Sequence, residues 1–199
     1  MHTKFEQYLA SQTSLPDETI RHVSGLATFR GLRRNEAVLS AGEICRHKIF
    51  IVNGLLRTFH IKSDGNEHIL QFSPEQTWTL DVESYDRQVP SLVNITAVEQ
   101  SEVMLWRKAD FDTLLREIPE LKRFSERLIS GNIYNSRNRI LTILSGTPEE
   151  RYADFVVQFP DYMSRLPLRM VAAYLGISLK TLTRIRHAQL QREAGIMVK

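Results

Sequence analysis

The sequence contains a single cysteine, Cys45, among its 199 residues. One cysteine cannot form an intramolecular disulfide or supply a thiolate cluster for zinc or iron–sulfur, so we expect Cys45 to be a small buried apolar residue. No run approaches the roughly 18 consecutive apolar residues that a membrane span requires. The N-terminal segment carries Glu6 where a secretory signal would be continuously apolar. These absences predict a cytoplasmic protein that has no membrane partner.

Aspartate and glutamate are absent from Tyr162 to Arg192. The cations in this stretch are Arg165, Arg169, Lys180, Arg184, Arg186 and Arg192. Because the whole chain has a net charge of only +3, this segment is far more basic than the rest. Charge of one sign is typical of a phosphate-binding surface. A solvated helical face would have the same composition.

Short runs of β-branched and aromatic residues predict strands across residues 37–106. Two of these runs, residues 55–62 and 67–72, flank Asp64-Gly65, and this dipeptide favours the positive φ angles of a tight hairpin turn. Two further strands are predicted, at residues 93–98 and 103–106. Many short strands at this spacing favour a closed barrel or jelly roll over a parallel sheet.

Outside the strand region the apolar spacing is helical. Two short helices are predicted before residue 37, separated by a turn at residues 14–17. A third helix is predicted after Lys108, and Pro119 begins a longer one, since proline is tolerated in a first turn. The apolar positions of the long helix are Leu121, Phe124, Leu128, Ile133, Ile140 and Leu144. So narrow a stripe indicates pairing with another helix, for example from a second copy of the chain. Packing of the helix across its own barrel is the alternative.

A new helix and a domain boundary are predicted at Thr147, because Thr147, Pro148 and Glu150 form the pattern of a capping box. Residues 167–186 then combine the features that a helix-turn-helix requires. Ala172 is the small residue where two helices would touch, and Gly176 lies in the turn between them. The apolar residues that would pin both helices are Val171, Leu175, Ile177, Leu182 and Ile185. Two unrelated helices meeting at a glycine would be the alternative.

The second helix of this motif separates its residues into two faces at about 100° per residue. Its outward face is cationic and rich in hydrogen-bond donors, which is the composition that enters a DNA major groove. Ser178 is placed to cap this helix, and Ser178, Thr181 and Arg169 are candidates for phosphate contacts. The predicted DNA-binding residues are Arg169, Ser178, Lys180, Thr181, Thr183, Arg184 and His187.

These features resemble the Crp/Fnr superfamily of bacterial transcription regulators over nearly the whole chain. The residues that carry the resemblance are Ala41-Gly42-Glu43, the segment 52–57, the Asp64-Gly65 hairpin, Gly176-Ile177-Ser178 and Arg184-Ile185. The chain is also similar to the branch common in Bacteroidetes, which shares the signatures Glu150-Arg151-Tyr152 and Asp81-Val82-Glu83-Ser84.

The resemblance implies an α+β protein with an N-terminal antiparallel jelly roll of the cyclic-nucleotide-binding type, a long dimerisation helix and a C-terminal winged helix-turn-helix. The corresponding domains would be residues 1–118, 119–146 and 147–199. The resemblance further implies a sequence-specific regulator that binds double-stranded DNA as a homodimer and contacts RNA polymerase. Arg184 matches the base-reading arginine of the family.

The resemblance also places an effector pocket in the jelly roll. Family members that bind cyclic AMP hold its ribose and phosphate with Gly-Glu and a following Arg-Ser or Arg-Thr pair. Here residues 78–94 lack that arginine, and the phosphate would face Asp81 or Glu83. We therefore expect no cyclic AMP and no cofactor, and an unknown effector if one exists. The predicted pocket residues are His68, Leu80, Asp81, Glu83, Ser84, Ser91 and Asn94.

Two other functions were compatible with a jelly roll. A metal-dependent cupin enzyme needs several histidines and a carboxylate on one ion. With a two-residue turn at Asp64-Gly65, however, His60 would lie opposite Ile69 and His68 would point to the other face, so we expect neither a metal site nor enzymatic activity. The second alternative is a cyclic-nucleotide sensor that regulates a partner protein. Such a sensor would retain the phosphate-binding arginine and would need no basic recognition face.

Overall fold

Two short helices precede the strands in the structure, a computed structural model that describes residues 3–196 and the side chains of residues 3–191. They are α1 (Lys4–Gln12) and α2 (Asp17–Gly25). α1 begins with a capping box, in which the Thr3 hydroxyl accepts from the Glu6 N–H and the Glu6 carboxylate accepts from the Thr3 N–H. The predicted pair of helices with an intervening turn is confirmed.

Eight strands occur in the described part of the chain, arranged as two four-stranded antiparallel sheets. The strands are β1 (Thr28–Leu32), β2 (Ala37–Leu39), β3 (His47–Asn53), β4 (Leu56–Ile61), β5 (Glu67–Ser73), β6 (Trp78–Thr79), β7 (Asn94–Ala97) and β8 (Ser101–Arg107). The first sheet has the order β1-β8-β3-β6 and the second β2-β7-β4-β5. Helix α3 (Val82–Arg87) connects β6 to β7. The predicted α+β class with an antiparallel jelly roll is confirmed.

Both sheets are covered on both faces. Their inner faces share one core that includes Ile49, Ile51, Leu56 and the buried Cys45. The outer face of the first sheet packs its aromatic residues against the helices before β1 and after β8. The outer face of the second sheet packs against the C-terminal helices. This double coverage explains why β3 is buried at four consecutive positions instead of alternating.

The turn of the β4–β5 hairpin is longer than expected. The Gly65 N–H donates to the Lys62 carbonyl at 2.9 Å, and the Lys62 N–H donates to the Asn66 carbonyl at 3.0 Å. Gly65 has φ of +82°, whereas Asp64 has no positive φ. Asp64 instead accepts the Asn66 N–H on its carboxylate at 2.9 Å. The loop is therefore a three-residue turn with glycine in the left-handed position.

This extra turn residue shifts the strand register by one. His60 pairs directly with His68, and Phe59 pairs with Ile69. The expectation that His60 lies opposite Ile69 is therefore wrong, as is the expectation that the two histidines point to opposite faces. Residues directly opposite in an antiparallel pair share one face of the sheet.

A long helix follows the last strand, as predicted. After α4 (Lys108–Glu117), helix α5 runs over Pro119–Ser145 with Pro119 in its first turn. Its first turns are buried at Leu121 and Phe124 against the first sheet's outer cluster. Many of its later apolar side chains are exposed, including Ile129, Ile133, Ile140, Leu141, Ile143 and Leu144. Packing on its own barrel therefore accounts only for the beginning of α5.

Four helices complete the described chain: α6 (Pro148–Gln158), α7 (Tyr162–Arg165), α8 (Leu168–Leu175) and α9 (Leu179–Ile196). The expectation of a wing is not met within residues 3–196. No strand follows β8 there, and α9 continues as a helix to Ile196. Among the helices of this range, none is long and apolar enough to cross a membrane.

The loop between β3 and β4 gives a stability prediction. Gly54 has φ of +91°, and an added Cβ would lie 2.2 Å from the Ser101 Oγ and 2.8 Å from the Gln100 carbonyl oxygen. We expect Gly54→Ala to lower the free energy of unfolding by about 2–4 kcal/mol, through backbone strain and a clash with main chain. Urea unfolding followed by circular dichroism measures the change.

Gly65→Ala is the matched control. Gly65 has φ of +82° but has open space around its Cβ position, so strain alone should cost about 1 kcal/mol. Equal losses for the two variants would contradict the predicted close approach at Gly54.

Candidate nucleic-acid interface

Helices α8 and α9 form the predicted helix-turn-helix. α8 ends at Gly176, which adopts the left-handed conformation with φ of +68°. The Gly176 and Ile177 N–H groups both donate to the Ala172 carbonyl, the Ile177 bond measuring 3.1 Å, so hydrogen bonds close the end of α8 at the glycine. The Ser178 hydroxyl accepts from the Thr181 N–H at 3.0 Å, so Ser178 caps α9 as predicted.

The buried face of the motif contains the pinning residues that the sequence indicated. Val171, Ala172, Leu175, Leu182 and Ile185 are buried, and Ile177 packs against the same cluster. Because these side chains fix α9 on one side, its opposite side is held toward solvent.

The predicted contact residues lie on that opposite side and at the start of α9. Lys180, Thr183, Arg184 and His187 are exposed on α9, and Arg169 is exposed on α8. The hydroxyls of Ser178 and Thr181 lie 2.8 Å apart at the turn. The structure thus gathers all seven predicted residues around the helix-turn-helix; whether they touch DNA stays a prediction. Arg192, counted in the basic stretch, lies outside the residues whose side chains are described.

One charged neighbour of this surface was not predicted. Glu149, in the first turn of α6, forms an ion pair with Arg184 at 3.0 Å between Oε1 and a terminal guanidinium nitrogen. The capping-box pattern places Glu149 at a helix start. Nothing in the sequence indicates that this helix start lies beside α9.

The helix-turn-helix is docked on the second sheet by an apolar contact. Leu55, Phe59, Ile69, Phe72 and Val98 on the outer side of the sheet share one buried cluster with α6, α7, α8 and α9. The Phe72 ring lies 5.8 Å from the Tyr162 ring and 5.3 Å from the Tyr174 ring. Aromatic pairs at such distances stabilise a fold by about 0.5–1.5 kcal/mol more than the apolar area they bury would predict. The barrel therefore fixes the orientation of α8, and through it that of α9.

An arginine reinforces this docking. Arg165, at the end of α7, donates to Glu75 at 2.8 Å and to Glu99 at 2.5 Å, and both carboxylates come from loops of the barrel. Only 23% of the Arg165 side chain is exposed. Arg165 belongs to the basic stretch that predicts a phosphate-binding surface. In the structure its charge is instead paired with carboxylates of the protein itself. Hydrogen bonds and charge from Glu99 and Glu75 raise the pKa of Arg165, which favours the charged guanidinium.

Two further arginines tie the long helix to α8 through main-chain carbonyls. Arg139 of α5 donates to the Ile69 and Tyr174 carbonyls at 2.8 Å each, and also to the Leu70 carbonyl. Its guanidinium lies 3.9 Å from the centre of the Tyr174 ring, and burial lowers the pKa of Arg139.

Arg151 of α6 plays the corresponding part at the end of α5. It donates to the Ile143, Gly146 and Leu175 carbonyls at 2.6, 3.0 and 3.3 Å. Cations at helix C-termini interact favourably with the helix dipole. The end of α5 and the end of α8 are therefore held by common side chains.

Most of the predicted effector-pocket residues lie in or near α3, and the polar groups of Asp81, Ser84 and Ser91 are engaged within the barrel. The Asp81 carboxylate accepts from the Ser84 N–H at 3.4 Å and from the Ser91 hydroxyl at 2.7 Å. Ser84 accepts from the Cys45 N–H at 2.8 Å and donates to the Val89 carbonyl at 2.6 Å. These bonds fix the segment from β6 to β7.

The remaining predicted pocket residues do not add a phosphate site. Asn94 accepts from the Ala41 N–H at 3.0 Å, and Glu83 pairs with Arg87 at 3.0 Å on the surface of α3. Leu80 packs on the inner core, and His68 lies opposite His60 on β4. Within the described range, no group of three or more histidine, cysteine or acidic side chains is arranged to hold a metal ion.

Comparison with known proteins gives consistent relationships. The cyclic nucleotide-binding domain family matches residues 29–117. The chain is similar to the transcriptional activator protein Anr of Pseudomonas aeruginosa, with 28% identity over 174 residues, 78% of this chain and 68% of that protein. The structure of FixK2 from Bradyrhizobium japonicum has a TM-score of 0.74 at 19% identity, covering 84% of this chain and 86% of that one. A Crp/Fnr regulator structure from Eubacterium rectale gives 0.72 at 16% identity, with 93% and 88% covered.

The Arg165 network predicts a pH-dependent stability. Burial alone would raise the pKa of Glu75, but hydrogen bonds and charge from Arg165, with the Gly54 N–H, lower it below its ordinary value of 4.5. A carboxyl with a lowered pKa in the folded state adds stability above its unfolded pKa and loses it as pH falls through the folded one. We expect Arg165→Met to reduce the free energy of unfolding by about 1–2 kcal/mol at pH 7, between the values for exposed and buried pairs.

Urea titrations at a series of pH values measure this difference, which should shrink as pH falls below 4.5, the ordinary pKa of Glu75. Arg169→Met, an exposed arginine on the neighbouring helix, should change stability by less than about 0.5 kcal/mol. A difference that stays constant down to low pH would show that the carboxylates do not hold Arg165.

Proposed function

We propose that the chain is a transcription regulator of the Crp/Fnr type, like the proteins it is similar to, and that it binds a specific sequence of double-stranded DNA with α9 in the major groove. The observation that carries this proposal is the exposed face of α9, where Lys180, Thr183, Arg184 and His187 project from a helix anchored by Leu182 and Ile185. Such a rigid, cationic, donor-rich helix face is what reads base edges.

The residues divide into two roles in this proposal. Arg184 reads a guanine, and Lys180 contacts guanine or phosphate. Thr183 and His187 line the same face and lie toward the bases. Arg169, Ser178 and Thr181 contact phosphates at the edge of the groove and fix the register of the helix on the duplex.

We propose that the protein acts as a homodimer through α5. The exposed apolar residues Ile129, Ile133, Ile140 and Ile143 follow a spacing of three, four and seven residues, which matches the seam of a coiled coil. Exposed isoleucines in such a row are costly in water and are covered when a second copy supplies the same face. A symmetric dimer would place its two α9 helices in successive major grooves, about one helical turn of DNA apart.

The domain division proposed from the sequence follows this assignment: residues 1–118 form the sensor, 119–146 the dimerisation helix and 147–199 the DNA-binding part. The location is the cytoplasm, where an operator would be found, and contact with RNA polymerase is part of the proposal by family resemblance alone. The protein acts as a regulator and not as an enzyme.

We further propose that the jelly roll takes no cyclic AMP. The polar side chains of Asp81, Ser84 and Ser91 are used in hydrogen bonds within the barrel, and Arg87 of α3 is paired with Glu83. A cyclic phosphate entering here would lose water without gaining a cation. An effector, if one acts, has a different chemistry.

Selection of bound sequences from random duplexes tests the DNA-binding function. The wild-type protein should enrich a near-palindromic sequence and bind it in gel shifts with a steep dependence on salt. Arg184→Ala should cost about 1–3 kcal/mol on that sequence and relax the preference at one base pair. Arg169→Ala should weaken selected and random DNA alike and reduce the salt slope by about 1. If Arg184→Ala weakens both DNAs equally, its base-reading role is wrong.

Sedimentation equilibrium tests the dimer. The double substitution Ile133→Glu and Ile140→Glu puts like charges on both sides of the proposed seam, so we expect a monomer at concentrations where the wild type is dimeric. Ile61→Glu, at another exposed isoleucine, should leave the dimer intact. A wild-type protein that sediments as a monomer would contradict the assignment of α5.

A further inference from the structure

The ion pair between Glu149 and Arg184 joins two helices beside the proposed DNA surface. The distance is 3.0 Å, and 52% of the Glu149 side chain and 68% of the Arg184 side chain are exposed. Arg184 is therefore already paired with a carboxylate in the protein without DNA. This partner comes from α6, outside the helix-turn-helix itself.

The position of Glu149 is fixed by the start of α6. The Thr147 hydroxyl caps the helix by accepting from the Glu150 N–H at 3.2 Å, and the Glu150 carboxylate accepts from the Thr147 N–H at 2.7 Å. Glu150 thus turns back onto its own helix end, whereas Glu149 points to α9. Two adjacent carboxylates have different partners.

Arg151 fixes this helix start relative to the end of α8. It binds the Gly146 carbonyl before α6 and the Leu175 carbonyl at the end of α8. The turn of the helix-turn-helix and the first turn of α6 are therefore held together by one side chain. Glu149 stays within reach of Arg184 because neither helix end can move independently.

The ion pair between Glu149 and Arg184 should affect the binding of Arg184 to a phosphate and to a guanine differently. A phosphate carries a full negative charge and attracts Arg184 by that charge as well as by hydrogen bonds, so the Glu149 carboxylate weakens the attraction and repels the phosphate. A guanine edge is recognised by directed hydrogen bonds. A guanidinium has several N–H donors, so it can keep its contact with Glu149 while donating to guanine. The carboxylate therefore penalises random contacts more than the specific one.

We propose that Glu149 is a positioning residue that raises the sequence specificity of Arg184. The inference rests on the proposed function, since it assigns to a residue outside the motif a part in the same recognition. Glu149 acts by orienting the guanidinium and by making nonspecific phosphate contacts unfavourable.

The experiment compares Glu149→Gln with Glu150→Gln in the full-length protein. Each variant removes one negative charge from the same helical turn, and glutamine at residue 150 keeps the capping box. Dissociation constants are measured for the selected duplex and for a random duplex of equal length, over a series of salt concentrations. Thermal unfolding shows whether each variant remains folded.

Glu149→Gln should lower the ratio of specific to random affinity by about fivefold, the factor corresponding to about 1 kcal/mol at about 1.4 kcal/mol per tenfold. Its affinity for random DNA should rise with a steeper salt slope, because a freed Arg184 releases a further counterion. Glu150→Gln should leave the specificity ratio unchanged. In an Arg184→Ala background, Glu149→Gln should no longer alter the ratio.

Equal effects of the two glutamine variants on the ratio would overturn the inference and leave the DNA-binding function standing. The same holds if Glu149→Gln still lowers the ratio in the absence of Arg184. A wild-type protein with no preferred sequence would instead overturn the proposed function, and this inference with it.

Discussion

The arrangement of the whole molecule depends on the contact between the second sheet and the C-terminal helices. Phe59, Ile69 and Phe72 cover one side of that sheet and pack against the aromatic residues of the helix-turn-helix. Without this cover, the outer face of the sheet would expose large apolar side chains to water. Arg165 then selects one orientation, because two carboxylates from separate loops must meet a single guanidinium. Apolar burial supplies the attraction between the sheet and the helices, and the ion pairs of Arg165 fix how the two are oriented.

The helix-turn-helix could be predicted in detail because all its determinants are local. Ala172, Gly176, Ser178 and the apolar positions between them lie within a short segment, and each acts on near neighbours. The jelly roll was predictable as a class for a similar reason, since strand composition and the Asp64-Gly65 turn are visible in sequence. The long helix was signalled by Pro119 and by its apolar spacing.

The features that could not be predicted depend on contacts between distant parts of the chain or on a one-residue difference in loop length. The partners of Arg165 and Arg184 come from other elements, so composition alone assigned both arginines to the same basic surface. The hairpin register failed because Asp-Gly supports both a two-residue and a three-residue loop, and the difference moves His68 to the other face. The wing was expected from the family alone, and α9 occupies the described chain up to Ile196 instead.

Arg139 has a consequence for the behaviour of the protein in solution. Strand β5 lies at the edge of the second sheet, where unpaired carbonyls would offer a template for strands of other molecules. Arg139 occupies the carbonyls of Ile69 and Leu70 and holds the long helix along this border. The side chain that joins the long helix to α8 thus occupies acceptors at the sheet edge, and fewer main-chain carbonyls are left there for a strand of another molecule.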